Sequence, residues 1–410
     1  MNADCAWLWW LPVALWPALE LLRQAAAWRA LRAMPIFSAC DDSENDDEST
    51  RFHGVDVLQP IRSGDATLAE TLGASLRTLG AHGATLHWLI DSDDTAAADI
   101  VRSVIDAQPA LRNRVDVSEH PPCPPAINPK LFKLDRALAH CTGHAVLVLD
   151  DDARMPASTL DALLASLDGS RVDAPTISTA LPIYLPANGL PANSMGARLL
   201  ARFVNDSAAL TYLPPRLRGD TPTINGMAWA MRRDALMAIG GFAPRLRHLT
   251  DDLAMAQAVL ADGGRIEQRR EPVWMRTALP DLRAYVRQMH RWMLFARLLL
   301  RTLPWQAQVR IALGQGLPTI LPLIAATALA IAPSWPGVIA FATGVLAHLF
   351  GRRALQRACA GEAARIEPLS SLLVALLLPL HLLHALLDSR IRWREHRYRV
   401  IANDRFEELP

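Results

Sequence analysis

The middle of the chain alternates between short apolar runs and longer stretches in which apolar residues recur at helical spacing. The apolar runs predict strands at 54–61, 85–91, 115–117 and 144–150. The helical spacing predicts helices at 68–79, 96–107 and 131–140. Strands that alternate with helices of this length form a parallel sheet covered on both faces. The pattern therefore predicts an α/β fold with a parallel-rich sheet.

The C-terminal third contains three long apolar segments, at 311–332, 335–350 and 370–387. Pro333 and Ser334 join the first two, which predicts a helical hairpin across a bilayer, followed by arginines that favour the cytoplasmic side. The third segment carries Pro379, His381 and His384, so it either spans the membrane or re-enters it. Buried core helices are the alternative for all three. We predict a C-terminal transmembrane region over 304–389.

A shorter apolar run, Ala6 to Leu19, lies near the start of the chain and carries four tryptophans, which favour membrane interfaces. Three arginines follow this run, whereas a cleaved signal peptide has its positive charges before the apolar run. These features predict an N-terminal anchor over 6–28 with its C-terminal side in the cytoplasm. The hydrophilic stretch DDSENDDE predicts an acidic linker over 33–50.

A basic amphipathic stretch, Leu282 to Arg301, precedes the apolar segments and predicts a helix at the membrane surface over 280–303. Attraction to anionic headgroups, with no chemistry, is sufficient to explain this helix by itself. The tail over 390–410 is also basic and favours the cytoplasm. If all three C-terminal segments span the membrane, this basic tail lies outside the cytoplasm, against the preference of its charges. The sequence therefore leaves open whether 370–387 spans the membrane or re-enters it.

Composition narrows the class of protein. The chain has 410 residues, of which 51% are hydrophobic, and a mean hydropathy of +0.12, which is high for a purely soluble protein. The net charge of +1 argues against nucleic acid as a partner. Five scattered cysteines without a CxxC pair argue against a disulfide framework or a zinc site.

Two clusters of aspartates follow predicted strands, at Asp91, Asp93 and Asp94 and at Asp150, Asp151 and Asp152. Burying adjacent unpaired charges is costly, so the second cluster either points into water or holds a cation. Ligands of parallel sheets bind beyond the carboxyl ends of the strands. Two clusters at such ends favour a binding site over two solvated loops.

A third acidic point is Thr250-Asp251-Asp252, directly before a helical pattern. Threonine is a good helix N-cap, and carboxylates in the first turn interact favourably with the helix dipole. From these residues alone, capping of the helix is the favoured interpretation.

The order of these features resembles the inverting family 2-type glycosyltransferases and, more closely, the ceramide glucosyltransferase family. The resemblance covers about 54 to 400 and rests on QPIRSGD at 59–65, DSDDTAAAD at 91–99, INPK at 127–130, INGMAWAMRRDALMAIGGF at 224–242, TDDLAMAQAVLADGGRI at 250–266, QMHRW at 288–292 and SRIRWREHRYR at 389–399. Asp251 stands where the family usually has glutamate. Residues 176–222 match only loosely, and acceptor specificity could lie there.

The resemblance implies a GT-A (Rossmann-like) nucleotide-sugar-binding domain over 51–279, with UDP-glucose as the simplest donor. On the donor side, it implies that Asp150 and Asp152 bind Mg²⁺ or Mn²⁺ and the donor, that Asp94 binds the uracil or ribose, and that Lys130 binds the diphosphate or sugar. It also implies that Asp252 is the general base. Closure of the site is implied for three residues, Gln288, Arg291 and Trp292. Three consecutive aspartates make the DxD pair a choice, and alignment on Arg154 selects Asp150 and Asp152.

The implied reaction is hexosyl transfer to the primary hydroxyl of a lipid such as ceramide. A hopanoid, a polyprenyl phosphate or a diacylglycerol is the alternative acceptor. A polysaccharide synthase usually needs more spans to form a secretion channel. A non-catalytic membrane scaffold is the alternative from another class, and the full set of motifs argues against it. The composition, rich in Ala, Leu and Arg, predicts a bacterial inner-membrane protein with a cytoplasmic catalytic domain.

Overall fold

The computed structural model describes residues 6–35, 51–168, 171–185, 194–276, 279–361, 367–393 and 396–409. Its helices are α1 (Ala6–Ala33), α2 (Leu68–Ser75), α3 (Thr95–Asp106), α4 (Pro129–Leu138), α5 (Ala157–Ala165), α6 (Met195–Arg216), α7 (Arg233–Ala238), α8 (Asp251–Ala261), α9 (Leu282–Thr302), α10 (Trp305–Ile311), α11 (Leu317–Ile331), α12 (Trp335–Leu346), α13 (Arg352–Ala360) and α14 (Pro368–Leu387). Its strands are β1 (Val55–Pro60), β2 (Thr85–Asp91), β3 (Val115–His120), β4 (Ala145–Leu149), β5 (Ala153–Arg154), β6 (Thr176–Tyr184), β7 (Ala228–Arg232), β8 (Arg265–Met275), β9 (Arg390–Trp393), β10 (His396–Ala402) and β11 (Arg405–Leu409). Of the predicted acidic linker, residues 36–50 lie outside the described ranges.

One compact unit, the α/β unit, comprises Met34–Ala192, Arg218–Ala278 and Arg392–Pro410. Its main sheet has the strand order β3-β2-β1-β4-β7-β6-β8-β5. The first four strands in this order are parallel, β7 runs antiparallel to both of its neighbours, and β6 and β8 are parallel to each other. The prediction of a parallel-rich sheet is therefore confirmed, and the antiparallel strands β7 and β5, the latter paired with β8, are additions.

The central strand β4 forms from a continuous apolar run of five residues. All five residues of β4 are buried, because the strand lies inside the sheet between β1 and β7. Val148 pairs with Leu58 on one side and with Trp229 on the other. A strand covered on both faces reads as a continuous apolar run, and AVLVL is such a run.

The parallel strands determine where the polar clusters lie. Because β1, β2 and β4 run in the same direction, their last residues, Pro60, Asp91 and Leu149, lie at one edge of the sheet. The segments that follow these strands carry Asp94 and Asp150. The fold thus brings two of the aspartate clusters to the edge at which ligands of such sheets bind.

The second compact unit, the helical unit, comprises Met1–Ala33, Asn193–Leu217 and Leu279–Ile391. Among its described residues, three helical stretches are long and apolar enough to cross a membrane: Trp305–Ile331, Trp335–Ala360 and Pro368–Leu387. The last is a helix of 20 residues, with the length and composition of a spanning segment. The 28-residue helix α1 is not in that group, and its role as an anchor stays a prediction.

A buried ion-pair network connects helices inside the helical unit. Glu20 of α1 accepts hydrogen bonds from Arg352 at 2.6 and 2.9 Å and from Gln24 at 3.0 Å. Asp206 of α6 accepts from Gln356 at 2.6 Å and from Ser371 at 2.5 Å. Each of these two buried carboxylates is held by donors from other helices.

Candidate active site

The centre of the candidate site is the ammonium group of Lys130. Its Nζ lies 2.7 Å from Asp150 Oδ1 and 2.8 Å from Asp251 Oδ2. It also donates a hydrogen bond of 3.0 Å to the carbonyl oxygen of Gly226. One lysine from INPK therefore joins the aspartate after β4 to the acidic pair at the start of α8, two motifs about a hundred residues apart.

The asparagine of the same motif fixes where Lys130 stands. Asn128 is the N-cap of α4, and its Oδ1 accepts from the backbone N–H of Lys130 at 2.9 Å and of Leu131 at 3.3 Å. Its Nδ2 donates to the carbonyl oxygens of His248 at 3.0 Å and Leu249 at 3.2 Å. Asn128 thus ties α4 to the segment that leads into α8, a role that sequence reasoning did not assign.

Asp252 is the carboxylate of the candidate site whose pKa is raised to near neutral. Burial and the negative charge of Asp251 together raise its pKa to about 7, although the backbone N–H of Leu253 and the ammonium of Lys130 oppose both effects. Its Oδ1 accepts the Leu253 N–H at 2.7 Å. A Cβ at position 226 would lie 3.3 Å from the Asp252 Cβ, so glycine leaves room for this side chain.

The predicted capping of α8 by Thr250 is wrong in one respect. Thr250 occupies the N-cap position, but its side chain makes no hydrogen bond to the first turn. Its hydroxyl instead donates to Oδ1 of Asn403 at 2.6 Å. Thr250 is therefore at the predicted N-cap position, but its side chain does not cap the helix.

The remaining two aspartates after β4 have different surroundings. Asp151 accepts the backbone N–H of Arg62 at 2.8 Å, and burial raises the pKa of Asp151 to about 6. Asp152 accepts the backbone N–H of Arg276 through its carbonyl oxygen at 3.1 Å, and its side chain is partly exposed. Asp151, the middle one of the three aspartates, therefore faces the turn after β1.

Asp94 is tied to the same turn. Its Oδ2 accepts the Ser63 N–H at 2.9 Å, and its Oδ1 accepts the Ala97 N–H at 3.0 Å as the N-cap of α3. Burial would raise the pKa of Asp94, but the hydrogen bonds from Ser63 and Ala97 outweigh burial and lower it. Asp94 thus stays ionised and orders the turn that also contacts Asp151.

Two buried polar side chains support the strand ends and were missed by sequence reasoning. Gln59 donates to the carbonyl oxygen of Asp150 at 3.2 Å and accepts from the indole N–H of Trp88 at 3.0 Å. Lys133 donates to the carbonyl oxygen of Ile61 at 2.9 Å and to Asp91 at 3.2 Å. The sequence signal that could have identified them is a polar residue at a position that the apolar pattern buries: Gln59 lies in the predicted strand 54–61, and Lys133 lies among apolar residues of the predicted helix 131–140.

The structure places Gln288, Arg291 and Trp292 on α9 of the helical unit. Arg291 donates to the side-chain oxygen of Gln288 at 2.9 Å. The Trp292 ring lies 6.0 Å from the ring of Phe203 on α6. Within the helical unit, these three residues thus make contacts along α9 and with α6.

The carboxylates of the α/β unit suit a divalent cation. Asp150 and Asp152 offer oxygen donors, which Mg²⁺ and Mn²⁺ prefer. The Asp150 side chain is 29% exposed, so an ion can reach it. Asp150 and Asp251 contact the ammonium of Lys130, and Asp252 interacts with the same charge, while Asp151 interacts with the ammonium of Lys133. Four carboxylates thus lie near two ammonium groups. This excess of negative charge fits an added cation.

A second group of possible metal ligands lies inside the sheet, where ligand atoms of Asp56, His87 and Cys141 lie within 4.8 Å of one another. Both ring nitrogens of His87 already contact carboxylates, with Asp56 at 2.9 Å and Asp116 at 3.2 Å. Burial would lower the pKa of His87, but these hydrogen bonds outweigh burial and raise it. We interpret this group as a structural ladder across β1, β2 and β3.

Comparison with solved structures shows the fold. A mannosyltransferase from Pyrobaculum calidifontis, PcManGT, in complex with GDP-Man and Mn²⁺, matches with a TM-score of 0.52 and 19% identity, over 91% of this chain and 98% of that one. Staphylococcus aureus TarS (residues 1–349) matches with a TM-score of 0.38 and 11% identity, over 87% and 96%. Among curated proteins, none gives a significant match. The sheet and its helices form the GT-A fold of glycosyltransferases, as predicted.

Comparison with protein families extends this result from the fold to the family. The model of glycosyl transferase family 21 matches residues 18–406, nearly the whole chain. The predicted resemblance is thereby confirmed at the level of the family, while the roles of the individual motifs stay predictions. On the strength of this match, which includes both compact units, the chain belongs to glycosyl transferase family 21.

Proposed function

We propose that this protein transfers glucose from UDP-glucose to the primary hydroxyl of a membrane lipid such as ceramide, with inversion at the sugar. Membership of glycosyl transferase family 21 supports the class of reaction. The single observation that carries the proposal is the joining of Asp150, Lys130 and the Asp251-Asp252 pair at one edge of the sheet.

The donor side of the site is assigned to Asp94, Lys130, Asp150 and Asp152. Asp150 and Asp152 would hold Mg²⁺ or Mn²⁺, and such an ion would supply positive charge to the diphosphate leaving group. The solved mannosyltransferase of similar fold contains a nucleotide sugar and Mn²⁺, which supports this pairing of ligands. Asp94 offers acceptor oxygens to the uracil or ribose, and Lys130 offers an ammonium to the diphosphate or sugar.

Asp252 is the proposed general base. An alcohol has a pKa far above 7, so direct attack on the sugar needs a base within hydrogen-bond reach. Because burial and Asp251 raise the pKa of Asp252 to about 7, its carboxylate accepts a proton more readily than an ordinary aspartate does. It is still ionised in a substantial fraction of molecules near neutral pH.

The helical unit is assigned to the lipid. Three stretches with the composition of spanning helices anchor the protein in the bilayer, with the α/β unit in the cytoplasm of a bacterial cell. On α9, Arg291 offers a rigid fork of donors suited to a pyrophosphate, and Trp292 offers an apolar face suited to the acceptor. Gln288, which accepts from Arg291, orients that fork.

The proposal is tested with the purified, detergent-solubilised chain and a panel of sugar nucleotides and lipids. Release of UDP from UDP-glucose is measured with ceramide, diacylglycerol, a hopanoid and a polyprenyl phosphate, and the glycolipid product is identified by mass spectrometry. Product with ceramide, absent in an Asp252→Asn variant, is the expected result.

The same panel distinguishes the alternatives. Transfer to one of the other three lipids alone would move the acceptor assignment and leave the chemistry intact. Binding of UDP-glucose without release of UDP for any lipid would favour a non-catalytic scaffold.

A further inference from the structure

We propose that the C-terminal hairpin of the chain positions the catalytic base, through a clamp that Asn403 forms on Thr250. The hairpin consists of β10, β11 and the two-residue turn Asn403-Asp404. The base is Asp252, so this inference rests on the function proposed above. Asn403 is assigned as a positioning residue, since it acts through the helix that carries Asp252.

The first observation is that Asn403 is buried where a turn residue is ordinarily exposed. Asparagine is common in hairpin turns because its short side chain bonds to local backbone. Here its relative exposure is only 9%, whereas its neighbour Asp404 is exposed. The side chain of Asn403 is directed away from solvent and toward Thr250, which is 3% exposed.

The second observation is that Asn403 bonds to every polar group of Thr250. Its Oδ1 accepts from the Thr250 backbone N–H at 2.8 Å and from the Thr250 hydroxyl at 2.6 Å. Its Nδ2 donates to the Thr250 carbonyl oxygen at 3.3 Å. In addition, the backbone carbonyl of Asn403 accepts from Leu249 N–H at 2.7 Å. One turn residue therefore bonds to all three polar groups of the N-cap residue of α8 and to the backbone of the residue before it.

The third observation is that this clamp stands in place of an ordinary helix cap. The first N–H groups of a helix have no partner within it, and an N-cap side chain usually binds one of them. Thr250 makes no such bond, because its hydroxyl is directed to Asn403. The direction of the first turn of α8, which carries Asp251 and Asp252, is therefore set by the tail of the chain.

A second asparagine holds the same segment from the opposite part of the sequence. Asn128 donates to the carbonyl oxygens of His248 and Leu249, and it caps the helix that carries Lys130. The chain before α8 is thus held between Asn128 and Asn403. Any loosening of one side moves Asp252 relative to Lys130, and displacements of about 1 Å cost on the order of a hundredfold in rate.

The test compares variants at Asn403 with a control in the same turn. We expect Asn403→Ala to lower kcat about tenfold to a hundredfold while KM for UDP-glucose stays within twofold, because the donor ligands lie elsewhere. Asn403→Asp keeps the acceptor oxygen for the Thr250 N–H and hydroxyl but loses the donation to the Thr250 carbonyl, so its kcat should lie between those of Asn403→Ala and the unaltered chain. Asp404→Ala, at the exposed position of the turn, should resemble the unaltered chain.

Thr250→Val provides an independent route to the same clamp. It removes the hydroxyl that donates to Asn403 but keeps the backbone bonds, so we expect a smaller loss of kcat than in Asn403→Ala. The double variant should be no worse than Asn403→Ala alone. Each rate is divided by the concentration of UDP-glucose-binding sites, which is determined by titration. Misfolded protein therefore does not lower the kcat obtained.

The outcomes separate this inference from the function on which it rests. If kcat per donor site in Asn403→Ala equals that of the unaltered chain, the clamp has no role in positioning and the inference is overturned, provided that Asp252→Asn is inactive. If Asp252→Asn is fully active, the assignment of the base fails instead. If Asn403→Ala yields no folded protein, Thr250→Val decides: a kcat per donor site equal to that of the unaltered chain overturns the inference, and a lowered kcat with KM for UDP-glucose within twofold supports it.

Discussion

The two compact units each contain a buried cluster of charges, and the two clusters are balanced in opposite ways. In the helical unit, the buried carboxylates Glu20 and Asp206 are matched by arginines and amides from neighbouring helices. In the α/β unit, the carboxylates of Asp150, Asp151, Asp251 and Asp252 lie near only two ammonium groups, those of Lys130 and Lys133, among the described residues. The first cluster is complete within the chain, and the second carries an excess of negative charge.

This difference separates a structural cluster from a chemical one. Charges that leave water must find partners, and a network with all its partners present holds its helices in one arrangement. A cluster left negative takes up protons more readily and attracts cations, which are the two properties that a metal-dependent transferase with a general base requires. Burial alone does not distinguish the two clusters, whereas the balance of charge does.

The largest expected effect concerns the chemical cluster. Asp252→Asn removes the proposed base with little change in shape, so we expect a loss of kcat of about 10² to 10⁴-fold with binding of UDP-glucose retained. Activity is measured as release of UDP, and donor binding by calorimetry. The control is Asp99→Asn, an exposed aspartate on α3. Full activity of the Asp252→Asn variant would contradict a chemical role for the cluster around Lys130 and so its contrast with the structural cluster of the helical unit.

The next effect concerns the structural cluster. Arg352→Met leaves Glu20 buried without its main partner, and breaking a buried ion pair costs about 3 to 5 kcal/mol of stability. The measurement is the thermal unfolding midpoint of the detergent-solubilised protein. The matched control is Arg102→Met, which breaks an exposed ion pair with Asp99.

A double variant, Glu20→Gln with Arg352→Met, sharpens this second prediction. It removes both charges, so we expect it to be more stable than Arg352→Met alone. An unfolding midpoint for Arg352→Met equal to that of Arg102→Met would mean that the network does not hold the helices.

Removal of divalent cations should affect only the chemical cluster. We expect EDTA to lower turnover more than tenfold, since the diphosphate leaving group loses its counter-charge, and Mg²⁺ or Mn²⁺ to restore it. The unfolding midpoint of the helical unit should not change. Undiminished turnover in EDTA would contradict the role given to Asp150 and Asp152. In the Asp150→Asn variant, we expect a higher concentration of metal to be needed for the half-maximal rate.

The smallest expected effect is a shift in the pH dependence. A base works when it is deprotonated, so kcat/KM should rise with pH around the raised pKa of Asp252, near 7. Asp251→Asn removes a neighbouring negative charge and should move this rise to lower pH, and Lys130→Met removes a positive charge and should move it to higher pH. Shifts in the same direction in both variants would contradict this electrostatic account.

The same pKa has a consequence for stability. A carboxyl whose pKa is higher in the folded chain than in the unfolded chain binds its proton more tightly when folded. The contribution of Asp252 to stability is therefore largest below about pH 4 and declines as the pH rises toward 7. Asp252→Asn should remove this decline from a plot of unfolding midpoint against pH.

Strong periodic signals made much of the fold predictable. The four predicted strands correspond to β1, β2, β3 and β4, because continuous apolar runs at this spacing have few other stable arrangements. The antiparallel strand β7 and the addition of α6 to the helical unit were not predicted. Both depend on pairing between segments far apart in the chain, for which a local pattern carries no information.

For the site, the sequence determined which residues can do chemistry, since carboxylates, an ammonium and a guanidinium are properties of residue type. Only the tertiary structure decided their partners. Lys130 bonds to Asp150 and Asp251, and the hydroxyl of Thr250 is directed to Asn403 and not to its own helix. The physical reason is that hydrogen bonds and ion pairs act over about 3 Å, and folding alone brings such distant residues within that distance.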